Sequence, residues 1–392
     1  MTSTPVWHML PTPTLETPTL ETLLAPTGVD EFTAAVHDRR TLYRAGTAER
    51  YRDIFSLDDF EELLLTLTSP AELRWLEVTR GGDGLAVNQS MLDKHGMLSP
   101  MQVFGRFARG YSLVLNQVHR RSMRVRRVCR DLEREVHAIG DTLPLAEAGA
   151  IAFLTPPGQR TLRVHWDAAD VIVLHISGRK RWGVWPRVEP APVRPRGGLD
   201  LDRQPPTEAL LLSPGDLLYL PAGVPHAAMA LPDEHSLHLS INLPAVTRAA
   251  VLERAIDSSG TLGRLIAGGQ STPEPGDLEW RLPAGEASAL AEAVRRSGLA
   301  TAPTCRTGVI ARLAHPPANG NEVHLLPAND AELVRDGGQV TVLCRGGQRT
   351  FTGPQALAVA GLWANGWVSV GDDDLPADVA VMLVAMGIAE WR

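Results

Sequence analysis

Four stretches in the middle of the chain follow strand-like hydropathy and not helical spacing. Val171-Ile172-Val173-Leu174 is a compact apolar run, and Trp182-Gly183-Val184-Trp185 follows a polar turn at Ser177-Gly178. Leu217-Leu218-Tyr219-Leu220 leads into Pro221-Ala222-Gly223-Val224-Pro225, a tight turn that delivers His226. Ser236 to Leu243 alternates polar and apolar positions, the pattern of a half-buried strand. Joined by turns, these segments predict an antiparallel β-barrel, so the fold class is mainly β with helices.

The flanks read differently. Residues 1–27 are rich in Pro and Thr, and Pro13-Thr14-Leu15-Glu16-Thr17 repeats as Pro18-Thr19-Leu20-Glu21-Thr22, which predicts a flexible tail. Helices are expected from Asp30-Glu31-Phe32 and from Ser56 to Leu64, where Ser56 suits the N-cap and acids fill the first turn. His119 to Arg134 carries seven arginines beside an apolar stripe of Val125, Val128 and Leu132, which predicts a solvated helix face; an anionic contact surface is the sharper alternative. Six prolines between Pro186 and Pro206 mark a loop inserted between strands, placed to shape access to a barrel mouth. Beyond Pro244 the pattern becomes helical, over Arg248–Ile256 and Ala287–Arg296. Residues 301–392 predict a small α+β module: a hairpin about Arg345-Gly346-Gly347, a helix over Pro354–Ala364 ending near Gly366, and another over Asp378–Met386.

Composition narrows the function classes. A chain of 392 residues with 44% hydrophobic content has material for two or three cores. Its net charge of −7 and pI near 6.0 argue against direct nucleic-acid binding and are compatible with a basic protein or peptide substrate. Cys129, Cys305 and Cys344 are too widely spaced for a disulfide framework or a zinc pattern, which fits a reducing cytoplasm. No signal peptide and no membrane-spanning run is visible.

The chemistry concentrates in His165-Trp166-Asp167, Pro214-Gly215-Asp216 and His226. On a strand, His165 and Asp167 project from one face. His226 arrives 59 residues after Asp167, from a second strand-like stretch. Two imidazoles and one carboxylate suit a divalent iron with its opposite positions open to small ligands.

His165-Trp166-Asp167-Ala168-Ala169-Asp170-Val171, Ser177-Gly178-Arg179-Lys180-Arg181-Trp182 and the run from Pro214 to His226 together resemble the JmjC-type cupins of the ribosomal oxygenase group, over roughly Glu31 to Asn242. The resemblance implies a double-stranded β-helix (jelly-roll or cupin) core and a dioxygenase that uses Fe(II), 2-oxoglutarate and O2 to hydroxylate a side chain of a protein or peptide, forming succinate and CO2. The target would be a ribosomal protein or a peptide natural product. His165, Asp167 and His226 would hold the iron. Lys180 falls where the family places a basic residue for the distal carboxylate of 2-oxoglutarate, a role that an ammonium with three donors can fill. Ser240 and Asn242 share a strand face that would look into the barrel toward the cosubstrate, and Asp170 is a candidate supporting partner. His175, Ile151 and Phe153 depart from the family, where Gln, Asn and Tyr are usual. The implied domains are a catalytic unit over 28–244, a helical dimerisation segment over 245–300 that makes a homodimer, and a winged-helix-like domain over 301–392, suited to structure or substrate docking.

Two other classes use the same metal residues. A cupin enzyme independent of 2-oxoglutarate has no need of Lys180. A non-catalytic metal-binding regulator with a winged helix has no need of open coordination positions, and would be expected to carry a basic recognition helix that this chain lacks.

Overall fold

The computed structural model describes residues 19–245 outside 26–27, 68–69, 86–88, 140–146, 188–196, 198, 200 and 202–203, together with residues 317–391 outside 327–330, 346 and 372–373, and a few single positions between. The helical dimerisation segment expected over 245–300 lies almost wholly outside the described residues.

Eleven strands build the first unit: β1 (Leu42–Arg44), β2 (Leu76–Arg80), β3 (Asp83–Leu85), β4 (Ser112–Leu115), β5 (Gly149–Thr155), β6 (Asp170–Gly178), β7 (Lys180–Val184), β8 (Glu208–Leu212), β9 (Leu217–Leu220), β10 (His226–Ala230) and β11 (Ser236–Leu243). Eight of them form one antiparallel sheet in the order β1-β9-β6-β11-β5-β4-β2-β3, and β10-β7-β8 form a second. Bridges Arg160↔Met229 and His165↔His226 lay residues 160–165 along the other edge of β10. This is the expected double-stranded β-helix.

Both faces of the large sheet are covered, which explains its near-continuous apolar runs. Val171, Val173, Leu218 and Leu220 pack against Trp182, Val184 and Leu212 of the small sheet. The alternate positions Ile172, Leu174, Leu217, Tyr219, Leu237, Leu239 and Ile241 join the larger core under the helices. Ser236 to Leu243 is therefore not half-buried: its polar positions face the barrel interior while its apolar ones face the helical layer. The turn Pro214-Gly215-Asp216 has a packing reason. Gly215 has φ +91°, and a Cβ there would lie 1.8 Å from the Thr47 carbonyl oxygen. Asp216 accepts from the Gly46 N–H (2.8 Å), the Ser213 N–H (2.8 Å) and the Tyr43 hydroxyl (3.0 Å).

The flexible tail expected over 1–27 does not include Thr19 to Leu24. Thr19 caps the helix Leu20–Leu24. Leu20, Leu23 and Leu24, an i, i+3, i+4 stripe, are buried in the main core, and the Leu20 N–H donates to Glu135 Oε2 (2.9 Å). Residues 1–18 lie outside the described residues. Ser56 caps the helix Leu57–Leu65 through the Asp59 N–H, as its position in the sequence requires.

The arginine-rich stretch forms the helix Met123–Ile139, with Val125, Val128 and Leu132 buried as its stripe predicts. Several of its charges are paired within the chain. Arg121 meets Glu72 (3.2 Å), Arg124 meets Asp59, and Arg130 (2.7 Å) and Arg134 (3.4 Å) both reach Asp131. Arg124 and Arg134 are exposed, on the solvated face that the sequence predicts, and each is already engaged with an acid of the chain.

The C-terminal module has its own core. Strands β12 (Glu322–Leu325), β16 (Trp367–Ser369) and β17 (Ala389–Trp391) make one sheet, and β13 (Ala331–Asp336), β14 (Gln339–Cys344) and β15 (Gly347–Phe351) another. The hairpin about Arg345-Gly346-Gly347 joins β14 to β15. The helices are Gly353–Asn365, closed by Gly366 at φ +78°, and Ala377–Ala385. Arg345, on the hairpin, pairs with Glu133 of the arginine-rich helix at 2.9 Å.

Candidate active site

His165 and His226 meet as cross-strand neighbours. The His165 N–H donates to the His226 carbonyl (3.1 Å) and the His226 N–H returns the bond to the His165 carbonyl (2.8 Å). Their ring centroids lie 4.3 Å apart. Asp167 follows two residues on, and its carbonyl accepts the Gly223 N–H at 2.9 Å, which ties it to the turn ahead of His226. The two imidazoles and the carboxylate bring one ligand atom each to within 4.8 Å of one another.

These three side chains fit a divalent metal. His165 Nδ1 lies 2.9 Å from the Arg163 carbonyl and His226 Nδ1 lies 3.0 Å from the Val224 carbonyl. A carbonyl can only accept, so each Nδ1 carries the proton and each Nε2 keeps its lone pair. His226 Nε2 stands 3.5 Å from Asp167 Oδ2. Burial, and secondarily the neighbouring His165, push the His226 pKa down to about 4, so its ring is neutral at pH 7 and available as a ligand.

The triad opens into a cavity of about 200 Å³ between the two sheets. Ser240 and Asn242 line it, on the barrel-facing side that alternation along β11 predicts. Ile151 and Phe153 line it as well, so apolar surface stands at both positions where the family usually has Asn and Tyr. Leu199, in the proline-rich insert, lies beside the segment that carries His165, its N–H donating to the Val164 carbonyl (3.1 Å).

Lys180 sits in the same cavity, 1% exposed. Its Nζ donates to Thr155 Oγ1 (2.7 Å) and lies 3.4 Å from His238 Nδ1. Among the described residues no carboxylate forms an ion pair with it. Burial alone pushes its pKa down to about 7. Nearby, Trp182 Nε1 and His175 Nδ1 are buried with no hydrogen-bond partner. An unpaired buried ammonium and an unsatisfied indole N–H fit the far carboxylate of a diacid whose other end meets the metal.

Trp182, His238 and Thr155 escaped the sequence analysis. The signal for two of them was parity: Trp182 is two residues from Lys180 and His238 two from Ser240, each on the same strand face. Asp170 turns out to be structural. Arg39 donates to both of its oxygens (2.7 and 2.8 Å), and the Tyr219 hydroxyl (2.8 Å) and Ala222 N–H (2.8 Å) complete the set.

Residues 131–251, which contain the triad and Lys180, match the JmjC domain family. Over that stretch the chain is similar to JmjC domains. The chain is 29% identical over 168 residues to a bifunctional lysine-specific demethylase and histidyl-hydroxylase of Drosophila persimilis, covering 43% of this chain and 23% of that one. It is 29% identical over 228 residues to ribosomal oxygenase 1 of Gallus gallus, covering 56% and 35%. The chain thus spans well under half the length of these relatives. The solved structure of Escherichia coli YcfD shares the fold, with a TM-score of 0.50 at 17% identity over 94% of this chain and 99% of that one. Among the described residues no helix is long and apolar enough to cross a membrane.

Proposed function

We propose that the protein is an Fe(II)- and 2-oxoglutarate-dependent oxygenase that hydroxylates an amino-acid side chain of a protein or peptide. One observation carries this: a two-histidine, one-carboxylate set and a buried ammonium without a carboxylate partner face the same cavity. When bound, iron, 2-oxoglutarate and O2 supply the oxidation, in which one oxygen atom enters a C–H bond of the substrate and the other enters succinate as CO2 leaves.

The chain's own residues bind, orient and exclude water. His165, Asp167 and His226 would hold the metal, with the carbonyls of Arg163 and Val224 fixing both imidazole tautomers. Lys180 neutralises the far carboxylate in a site too dry for water to do so. Val171, Val173 and Trp182 form apolar walls that keep competing water from the reacting centre. Ser240 and Asn242 are placed to hydrogen-bond the cosubstrate. Cys129 and Cys344 as free thiols suit a reducing, cytoplasmic setting.

The names of the relatives support a ribosomal protein as first candidate substrate, with a peptide natural product as the other; the acidic net charge suits a basic target in either case. With Fe(II) under reducing conditions, the purified protein is expected to convert 2-oxoglutarate to succinate. Proteomes from cells with and without the gene should differ by a gain of about 16 Da on a single side chain, the mass of one inserted oxygen. Absence of both succinate and any oxygen-shifted peptide overturns the proposal.

A further inference from the structure

The deep end of the cavity offers more hydrogen-bond donors than the protein supplies acceptors. His238 is the least expected of them. It sits on β11, opposite Phe153 of β5 and His175 of β6. Its ring stacks on Phe153 (centroids 4.9 Å, interplanar angle 5°) and meets Trp182 edge-on (5.4 Å, 74°). Two aromatic neighbours therefore fix its plane, and it is 3% exposed.

Its tautomer follows from Lys180. An ammonium can only donate, so at 3.4 Å from Nζ the His238 Nδ1 is the acceptor. The one proton of the neutral ring then resides on Nε2. That N–H bonds no described residue, and His238 lines the cavity. Burial, and then the positive charge of Lys180, hold the ring neutral by pushing its pKa well below the ordinary value.

Two more donors are in the same position. Trp182 Nε1 can only donate and has no acceptor. Lys180 has three N–H bonds, of which Thr155 Oγ1 and His238 Nδ1 take two. The protein leaves three N–H donors and one positive charge in the cavity that the triad faces, with the Trp182 ring, stacked on His226 (5.9 Å, 27°), between the triad and Lys180. A carboxylate, with its several lone-pair sites and single negative charge, satisfies all of them; a neutral carbonyl does not.

We infer that His238 and Trp182 complete, with Lys180, a three-donor clamp for the distal carboxylate of a dicarboxylate cosubstrate. This rests on the 2-oxoglutarate reading above. A histidine serving structure alone would direct Nε2 at a protein acceptor.

The test is direct binding without turnover, by calorimetry on the full chain loaded with Mn(II). 2-Oxoglutarate is compared with 2-oxobutanoate, which has the same chelating end and no distal carboxylate. Wild type is expected to prefer the diacid by about a hundredfold. His238→Phe keeps the stack on Phe153 and removes the donor. It should weaken 2-oxoglutarate about tenfold and leave 2-oxobutanoate within about twofold. His238→Gln, which returns an N–H near the Nε2 position, should recover most of the loss. Trp182→Phe should weaken the diacid selectively as well, and serves if the His238 variants fold poorly. A wild type that binds neither acid, or both equally, overturns the oxygenase proposal and the clamp with it. A wild type that prefers the diacid, with His238→Phe and Trp182→Phe keeping that preference, overturns the clamp alone.

Discussion

Lys180→Met is expected to make the protein more stable and to abolish its use of 2-oxoglutarate. Lys180 is fully buried with no carboxylate paired to it among the described residues, so folding removes an ammonium from water with only a hydroxyl and a neutral imidazole in return. Methionine fills a similar volume without the charge. The sign of the pH dependence follows from the lowered pKa. Between about 7 in the folded state and 10.5 in the unfolded state, the unfolded chain holds a proton that the folded one has released, so wild-type stability rises with pH across that window. The advantage of Lys180→Met should be largest at and below pH 7, roughly 2 kcal/mol or a melting shift of about 5 °C, and should fade toward pH 10.5. Added 2-oxoglutarate should raise the melting temperature of the metal-loaded wild type and leave that of the variant unmoved. Thermal melts over this pH range, with and without the diacid, measure both effects. A variant less stable than wild type at pH 7, or one still stabilised by 2-oxoglutarate, would remove Lys180 from the role given to it.

Asp170→Ala is expected to cost about 3–4 kcal/mol, lowering the melting temperature by about 10 °C, and to weaken metal binding. One carboxylate here accepts four hydrogen bonds from three segments: the bidentate Arg39, the hydroxyl of Tyr219 on β9, and the Ala222 N–H. Tyr219 is buried, and the anion beside it adds to burial in pushing its phenol well above the ordinary range. Removing the carboxylate leaves those donors unpaired. It also frees the turn from Pro221 to Pro225, whose N–H bond to Asp170 fixes the approach of His226. Asp170→Asn should recover little, because its amide N–H2 would face the Arg39 guanidinium, a donor against a donor. Melting curves and Mn(II) affinities of the two variants are the measurements. An Asp170→Ala protein that melts within about a degree of wild type would show that the network contributes nothing net.

Much of this site was written in local sequence. The spacing of His165 and Asp167 places them on one strand face under any fold that extends the segment. Lys180 and Trp182 obey the same two-residue rule, and the run from Pro214 to Pro225 carries its turn chemistry in its residues. The hairpin at Arg345-Gly346-Gly347 and the helix Gly353–Asn365 were likewise legible, because turn residues and helical periodicity act over a few positions.

What the chain alone left open was environment. The alternation of Ser236 to Leu243 shows that its two faces differ, but not that both are buried, one against helices and one against a cavity. That distinction turned Ser240, Asn242 and His238 from ordinary strand polar residues into the lining of a site. Nor does local pattern show that the leucines of Leu20–Leu24 find a place in the core, or that Arg124 of Met123–Ile139 meets Asp59 from another segment. Local sequence determined the strands, the turns and the candidate ligands, since those follow from the geometry of neighbouring residues. Only the tertiary structure decided that His165 would pair with His226 across sixty residues of chain and that Lys180 would end without a counter-charge. Cross-strand register and burial are settled by the packing of the whole sheet.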